Sequence, residues 1–215
     1  MMVSGENDPR RAGTIWAMNL DWPIPIITPA VDVTFRRIGL ETVPALADVL
    51  GESAADEILN RFKSGRRCYT ARVDNQLAAY GWVSFDEEFI GELSLRVRLL
   101  PGEAYIWDCA TLPIFRQQHL YTALLVYILR ELYAEQFCRA WIGANVENIP
   151  SQRGIANAGF KPVADMVVAR VLAMRLVWIQ GRPDIPENIV AEARRAFLNN
   201  RDKVWLSALV AASQR

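Results

Sequence analysis

The sequence predicts an α/β fold of mixed, α+β-like character: one mixed, mostly antiparallel sheet of about six to seven strands, flanked by helices, with a helical C-terminal extension. Three observations carry this. Turn signals at Asp74-Asn75 and Pro101-Gly102 separate short alternating runs, which is the pattern of a meander. A strand–helix–strand crossover follows between residues 103 and 146. A chain of 215 residues, 52% apolar and 22% charged, is long and apolar enough to bury a domain core.

Residues 1–30 read as an irregular arm, because Pro23, Pro25 and Pro29 discourage helix and Trp16 and Trp22 offer anchors to the body or to a second subunit. The main domain spans 31–180. Val31–Ile38 is partly alternating and β-branched, a strand. Val43, Leu46 and Leu50 have helical spacing, and Ser53 offers a cap for a second helix to about Phe62. Arg67–Val73 and Leu77–Phe85 flank the first turn. Glu92–Leu100 alternates, and Glu103–Leu112 is a strand stopped by Pro113. Tyr121–Gln136 carries one apolar stripe (Tyr121, Leu124, Leu125, Ile128, Leu129, Leu132) and is a helix. Arg139–Val146 is a strand, Ser151–Ala158 a short helix closed by Gly159, and Met166–Val177 a returning strand. Residues 181–215 form the extension, with helices expected at Glu187–Leu198 and Lys203–Ala212.

Composition narrows the function. Lys plus Arg and Asp plus Glu both number 24, so the chain lacks the basic excess of a nucleic-acid binder. Three scattered cysteines and a single histidine argue against disulfides and zinc and for a reducing cytoplasm. No apolar run is long enough for a membrane span, and the first residues lack a signal peptide's apolar stretch.

The informative stretch runs from Asp108 to Phe160. A strand ends at a proline, a polar loop follows, and a long helix begins. No residue from Phe115 to Leu125 is proline, so every amide there can donate. Free N–H groups at a helix start, together with the helix dipole, form an anion site that suits a pyrophosphate.

This segment resembles the acetyl-coenzyme-A-binding core of the GNAT superfamily. The family has Arg/Gln-x-x-Gly-x-Gly/Ala opening the helix; here Arg116, Gln117, Gln118, His119, Leu120 and Tyr121 stand in those places. Downstream the family has a strand, an Asn, a helix and Gly-Phe; here these are Ala140–Asn145, Asn148, Pro150–Ala158 and Gly159-Phe160. His119 and Tyr121 depart from the usual small residues. Ile155 stands where many members carry a tyrosine that protonates the departing thiolate.

The resemblance implies the GNAT fold and an N-acetyltransferase that moves an acetyl group from acetyl-CoA, its co-substrate, to an amine, with no metal. It places CoA on the loop and helix start from Arg116 to Thr122. Asn148 and Ser151 are candidates for the pantetheine amides, helix capping being their other role. The N–H groups of Ala110, Thr111 and Leu112 are candidates to meet the developing oxyanion.

For the base, Asp108 is preferred and Glu103 is second; five apart, they face opposite sides of a regular strand. Regular alternation puts Asp108 with Ile106 and Ala110, and Trp107 with Tyr105 and Cys109. A solvated strand end is the competing role for Glu103. Glu87 and Glu88 sit in a loop after the hairpin, as acceptor contacts or a solvated turn. Two other readings stand beside the enzyme: a degenerate GNAT module with a structural or regulatory role, and a nucleophilic Cys109 with His119 as base. The expected partner is a small-molecule amine, and a homodimer through the extension is open.

Overall fold

The computed structural model describes residues 10–91, 95–171 and 174–198. Ten strands and five α-helices follow in the order β1 (Arg10–Asn19), β2 (Thr34–Ile38), α1 (Val43–Leu50), α2 (Ala55–Lys63), β3 (Arg67–Val73), β4 (Gln76–Ser84), β5 (Glu87–Ile90), β6 (Leu95–Arg98), β7 (Glu103–Thr111), α3 (Leu120–Ala134), β8 (Arg139–Asn145), α4 (Ile149–Asn157), β9 (Lys161–Val171), β10 (Met174–Gly181) and α5 (Glu187–Phe197).

Eight strands make one sheet in the order β10-β9-β1-β8-β7-β4-β3-β2, while β5 and β6 form a separate ribbon. Among the described strands, β7 and β8 are the one parallel pair of the large sheet. Asp74 and Asn75 both have positive φ, 48° and 63°, the backbone of a tight hairpin turn whose twist matches its strands.

The period of two sorts the core. Trp16, Met18, Tyr69, Ala71, Ala104, Ile106, Ala140 and Ile142 pack with the stripe of α3. Their neighbours Ile15, Ala17, Tyr105 and Trp141 face the other way, against Ala193, Ala196 and Phe197 of α5. On that second face Leu46 of α1 and Ile58 of α2 meet Cys68, Leu77 and Trp82. Leu124, Leu125, Ile128, Leu129 and Leu132 are fully buried, each adding about 1.5–3 kcal/mol relative to exposure.

Several expectations are corrected. Residues 10–19 are not an irregular arm but β1, paired with β8 on one side and β9 on the other. Buried on both faces, β1 shows a continuous apolar run instead of alternation. The prolines that argued against structure all lie after it. The sheet therefore exceeds the expected six to seven strands. Glu87 and Glu88 lie in β5, not in a loop, and the strand expected at Glu92–Leu100 is shorter, Leu95–Arg98, with residues 92–94 outside the described chain. The single strand expected at Met166–Val177 is a hairpin pair, β9 and β10. Ser53 does not cap α2, whose N-cap is Ala54. The helix expected at Lys203–Ala212 lies outside the described residues. The first part of the extension is integral to the fold: α5 covers the β1–β8–β9 region, and Arg194 donates to the Ile179 carbonyl at 3.4 Å. No helix among the described residues is long and apolar enough to cross a membrane.

Candidate active site

The site grows out of the one parallel pair. β7 and β8 pair from Glu103↔Arg139 to Ile106↔Ile142 and then part. β8 continues beside β1 as far as Gly13↔Asn145, and β7 stays with β4 as far as Ala79↔Thr111. A wedge opens between them, and backbone groups of β7 that point into it have no strand partner.

A bulge sits at the mouth of this wedge. Trp82 faces Trp107 and Tyr80 faces Ala110, so Gly81 alone stands opposite both Asp108 and Cys109, and Asp108 takes φ +42°. A Cβ on Gly81 would come within 2.7 Å of the Cys109 sulfur, so the close approach requires glycine. The bulge overturns the alternation expected for β7. Trp107 packs toward α2, Asp108 reaches Arg61 of α2 on that same face, and Cys109 turns to the α3 side.

The Asp108 carboxylate accepts from Arg61 Nη1. Arg61 Nη2 donates to Glu57 at 2.5 Å, and the guanidinium lies 4.5 Å from the Trp107 ring centre and 5.1 Å from that of Trp82. Tyr80 stands near this pair; burial first, and the Asp108 charge second, push its pKa up to about 12, so it is a neutral phenol. Arg61, Tyr80 and Trp82 were not singled out from the sequence. Glu57 and Arg61 show an i,i+4 charge pair, a spacing that normally marks a solvated helix face.

Glu103 is placed elsewhere. Its side chain, 6% exposed, accepts from Arg195 Nη2 at 2.7 Å on both oxygens and from the Leu100 N–H at 2.9 Å, with Arg139 at 3.9 Å. It is neither a solvated strand end nor near Asp108; it anchors α5 to the closed end of the wedge. Glu88 is also buried, accepting from Arg66 at 2.6 Å and Ser84 at 2.5 Å, while Ser84 accepts from the Trp107 indole at 2.9 Å. Glu87 is an exposed partner of Arg96 and Arg98.

On the other side of the wedge lies the loop before α3. Gln117 and His119 have φ of +64° and +59°, the left-handed backbone that glycine favours. His119 thus adopts the conformation for which the resemblance expects glycine. It is the N-cap of α3 and makes no side-chain cap bond. The N–H groups of Leu120, Tyr121 and Thr122 have no carbonyl one turn back to accept them, as in the first turn of any helix. Arg116 is exposed beside them, its Nε donating to the Thr111 carbonyl at 3.4 Å.

The β7 amides divide. Leu112 N–H donates to the Ala78 carbonyl at 2.9 Å, so it is not free. By the alternation of an antiparallel ladder, the Ala110 N–H also points to β4 and the Thr111 N–H points into the wedge. Of the three amides proposed from the sequence, the geometry keeps Thr111.

At the start of α4, Asn148 is the N-cap, its side chain accepting from the Ser151 N–H at 3.1 Å. Ser151 meets the Tyr121 hydroxyl; burial pushes that phenol's pKa up, Cys109 adds to the rise, and the Ser151 hydrogen bond offsets part of it. Ile155 is 0% exposed and belongs to the core behind the site. Cys109 donates to the Trp107 carbonyl at 3.4 Å, and burial raises its thiol pKa, an arrangement unlike that of a nucleophilic cysteine.

The segment after β1 straps this loop from outside. Lys161 lies 4.2 Å from the Trp22 ring centre, Arg130 of α3 donates to the Pro25 carbonyl at 3.3 Å, and the Ala30 N–H donates to the Gln118 carbonyl at 3.2 Å, between the two left-handed residues. Trp22 therefore pins the strap to its own chain.

The residues fit a pyrophosphate-bearing thioester. Left-handed backbone directs loop amides together, a cationic Arg116 stands beside them, and Thr111 Oγ1 is buried beside the wedge without a partner among the described residues. Among the described residues, no group of His, Cys, Asp and Glu could hold a metal ion.

The sequence matches the model of the Acetyltransferase (GNAT) family over residues 33–160. A comparison with curated proteins finds no match. Among solved structures, a GNAT-family acetyltransferase from Colwellia psychrerythraea superposes with a TM-score of 0.54 at 15% identity, covering 82% of this chain and 58% of that one. A protein from Novosphingobium aromaticivorans, described as of the GNAT family, gives 0.48 at 21% identity, covering 71% and 60%. An acetyltransferase from Clostridium acetobutylicum, solved with acetyl-CoA, gives 0.43 at 15% identity, covering 60% and 90%. The chain thus spans about three fifths of the length of the first two. The first of these likenesses supports the fold alone.

Proposed function

Because this chain belongs to the GNAT acetyltransferase family, we propose that it transfers an acetyl group from acetyl-CoA to the amine of a small molecule by direct attack. The observation that carries the reading is the wedge between β7 and β8, closed at Ile106 and Ile142 and bordered by two helix starts.

When bound, acetyl-CoA supplies a thioester carbonyl activated toward amines. Arg116 and the amides from Gln117 to Thr122 hold the pyrophosphate. The Thr111 N–H lies along the wedge and is the candidate donor to the oxygen on which charge builds. Asp108, oriented by Arg61, takes the ammonium proton directly or through water. Glu103 has no part in the chemistry. Asn148 spends one lone pair on capping α4 and retains its NH2 group for a pantetheine carbonyl.

One observation favours a second reading, binding of CoA without transfer. Ile155 is buried and cannot give the leaving thiolate a proton.

Calorimetric titration with acetyl-CoA tests the first step, with Arg116→Ala as control. Micromolar binding weakened by the substitution supports the loop as the pyrophosphate site. Release of free thiol on adding amines then separates transfer from binding alone. A folded protein that does not bind acetyl-CoA overturns both readings.

A further inference from the structure

The acceptor side of the bulge presents two opposite charges side by side. Asp108 Oδ2 is taken by Arg61, while Oδ1 has no hydrogen-bond partner among the described residues, and the side chain is 38% exposed. Arg61 is 17% exposed and held flat by Trp107 and Trp82. Its second terminal nitrogen is occupied only by Glu57, which is 67% exposed and one helical turn away. The Glu57 end of this pair is open to solvent, and an i,i+4 pair contributes only a small fraction of a typical ion pair's stability, so a competing anion can take its place on Arg61. The other charges nearby are closed off: Glu88 is buried against Arg66 and Ser84. Tyr80 is neutral.

From this pair we infer that the acceptor is a zwitterion, an amino acid or another small amine carrying a carboxylate close to its nitrogen. The ammonium occupies Asp108 Oδ1, and the carboxylate replaces Glu57 on Arg61. A plain cation gains Asp108 but meets the fixed positive charge of Arg61. A plain anion has no group for Asp108 to deprotonate. Only a molecule with both charges completes both partners, and the indole rings hold the guanidinium in place before binding, so little ordering is needed. Arg61 is then the residue that sets specificity.

The inference rests on the acyl-transfer reading. In the step, the ammonium gives a proton to Asp108, the nitrogen–carbon bond forms as the carbon–sulfur bond breaks, the second nitrogen proton is lost, and the thiolate is protonated. The products are an N-acetyl amino acid, free CoA and one proton.

The test uses the full chain, acetyl-CoA and matched pairs: phenylalanine against phenethylamine, leucine against isoamylamine, lysine against cadaverine. Free thiol is followed. In the unaltered protein, kcat/KM for the amino acid is expected to exceed that for the decarboxylated partner by about ten- to hundredfold in at least one pair. Arg61→Gln, with unchanged acetyl-CoA affinity as the check on folding, brings the ratio near one, and Arg61→Lys keeps part of it. Equal or better turnover of the plain amines overturns the inference, and so does acetyl-CoA binding without acetylation of any amino acid. Failure to bind acetyl-CoA is a different result and removes the acyl-transfer reading itself.

Discussion

The ring of Tyr121 on α3 lies directly against the backbone of Gly154 on α4. A Cβ at residue 154 would come within 2.8 Å of the ring's Cε1 and closer still to Cδ1. The large residue at a position where the family has a small one is thus matched by a missing side chain on the facing helix. The two helices stay close, and the Tyr121 hydroxyl reaches Ser151.

Gly154→Ala is expected to destabilise the protein. Helix propensity alone favours alanine by about 1 kcal/mol. Overpacking against an aromatic ring costs about 1–3 kcal/mol. The net loss is up to about 2 kcal/mol in urea unfolding, and adding Tyr121→Ala recovers part of it as a measurable coupling.

Asp108→Asn is expected to lower kcat by about a hundred- to ten-thousandfold while the acetyl-CoA dissociation constant stays nearly constant. Calorimetry and thiol release on one preparation check both halves. A drop in affinity equal to the drop in rate would place Asp108 in donor binding instead.

Arg195→Ala should act on stability, not chemistry. It strips the main partner from a carboxylate that is almost wholly buried, at a cost of about 3 kcal/mol, softened by the Leu100 N–H that remains. Thermal unfolding should shift strongly, with kcat at low temperature retained.

Ala30→Pro removes the N–H that holds the Gln118 carbonyl. One hydrogen bond is worth about 1 kcal/mol, so acetyl-CoA should bind about fivefold more weakly. The acceptor KM should not change, because the strap touches the loop and not the bulge.

The three cysteines should separate by reactivity near neutral pH. Cys138 is exposed and should alkylate first. Burial pushes Cys68 up to about 12 and Cys109 higher as well, so both stay protonated and slow, and gain reactivity only as pH rises or the chain unfolds. Mass mapping after brief iodoacetamide treatment reads the order directly.

The sequence determined the order of elements from Thr34 to Asn157 except for β5, because the rest of that order is written in local signals: the Asp74-Asn75 turn, the stripe of α3, the proline after β7 and the Gly159 stop. It also located the loop from Arg116 to Thr122, since an uninterrupted run of amides at a helix start is a property of neighbouring residues. It could not place β1, whose edges pair with β8 and β9 and whose faces pack against α3 and α5, all distant in the chain. Nor could it show that Asp108 reaches Arg61 while Glu103 is held by Arg195, because one extra β7 residue opposite Gly81 turns Asp108 to the α2 face, and a bulge exists only relative to a partner strand. Arg61 and Asp108 are 47 residues apart and become one site only when α2 folds over β4 and β7. Chemistry carried by neighbouring residues was legible in the chain; chemistry carried by pairing across strands and helices was decided by the tertiary fold.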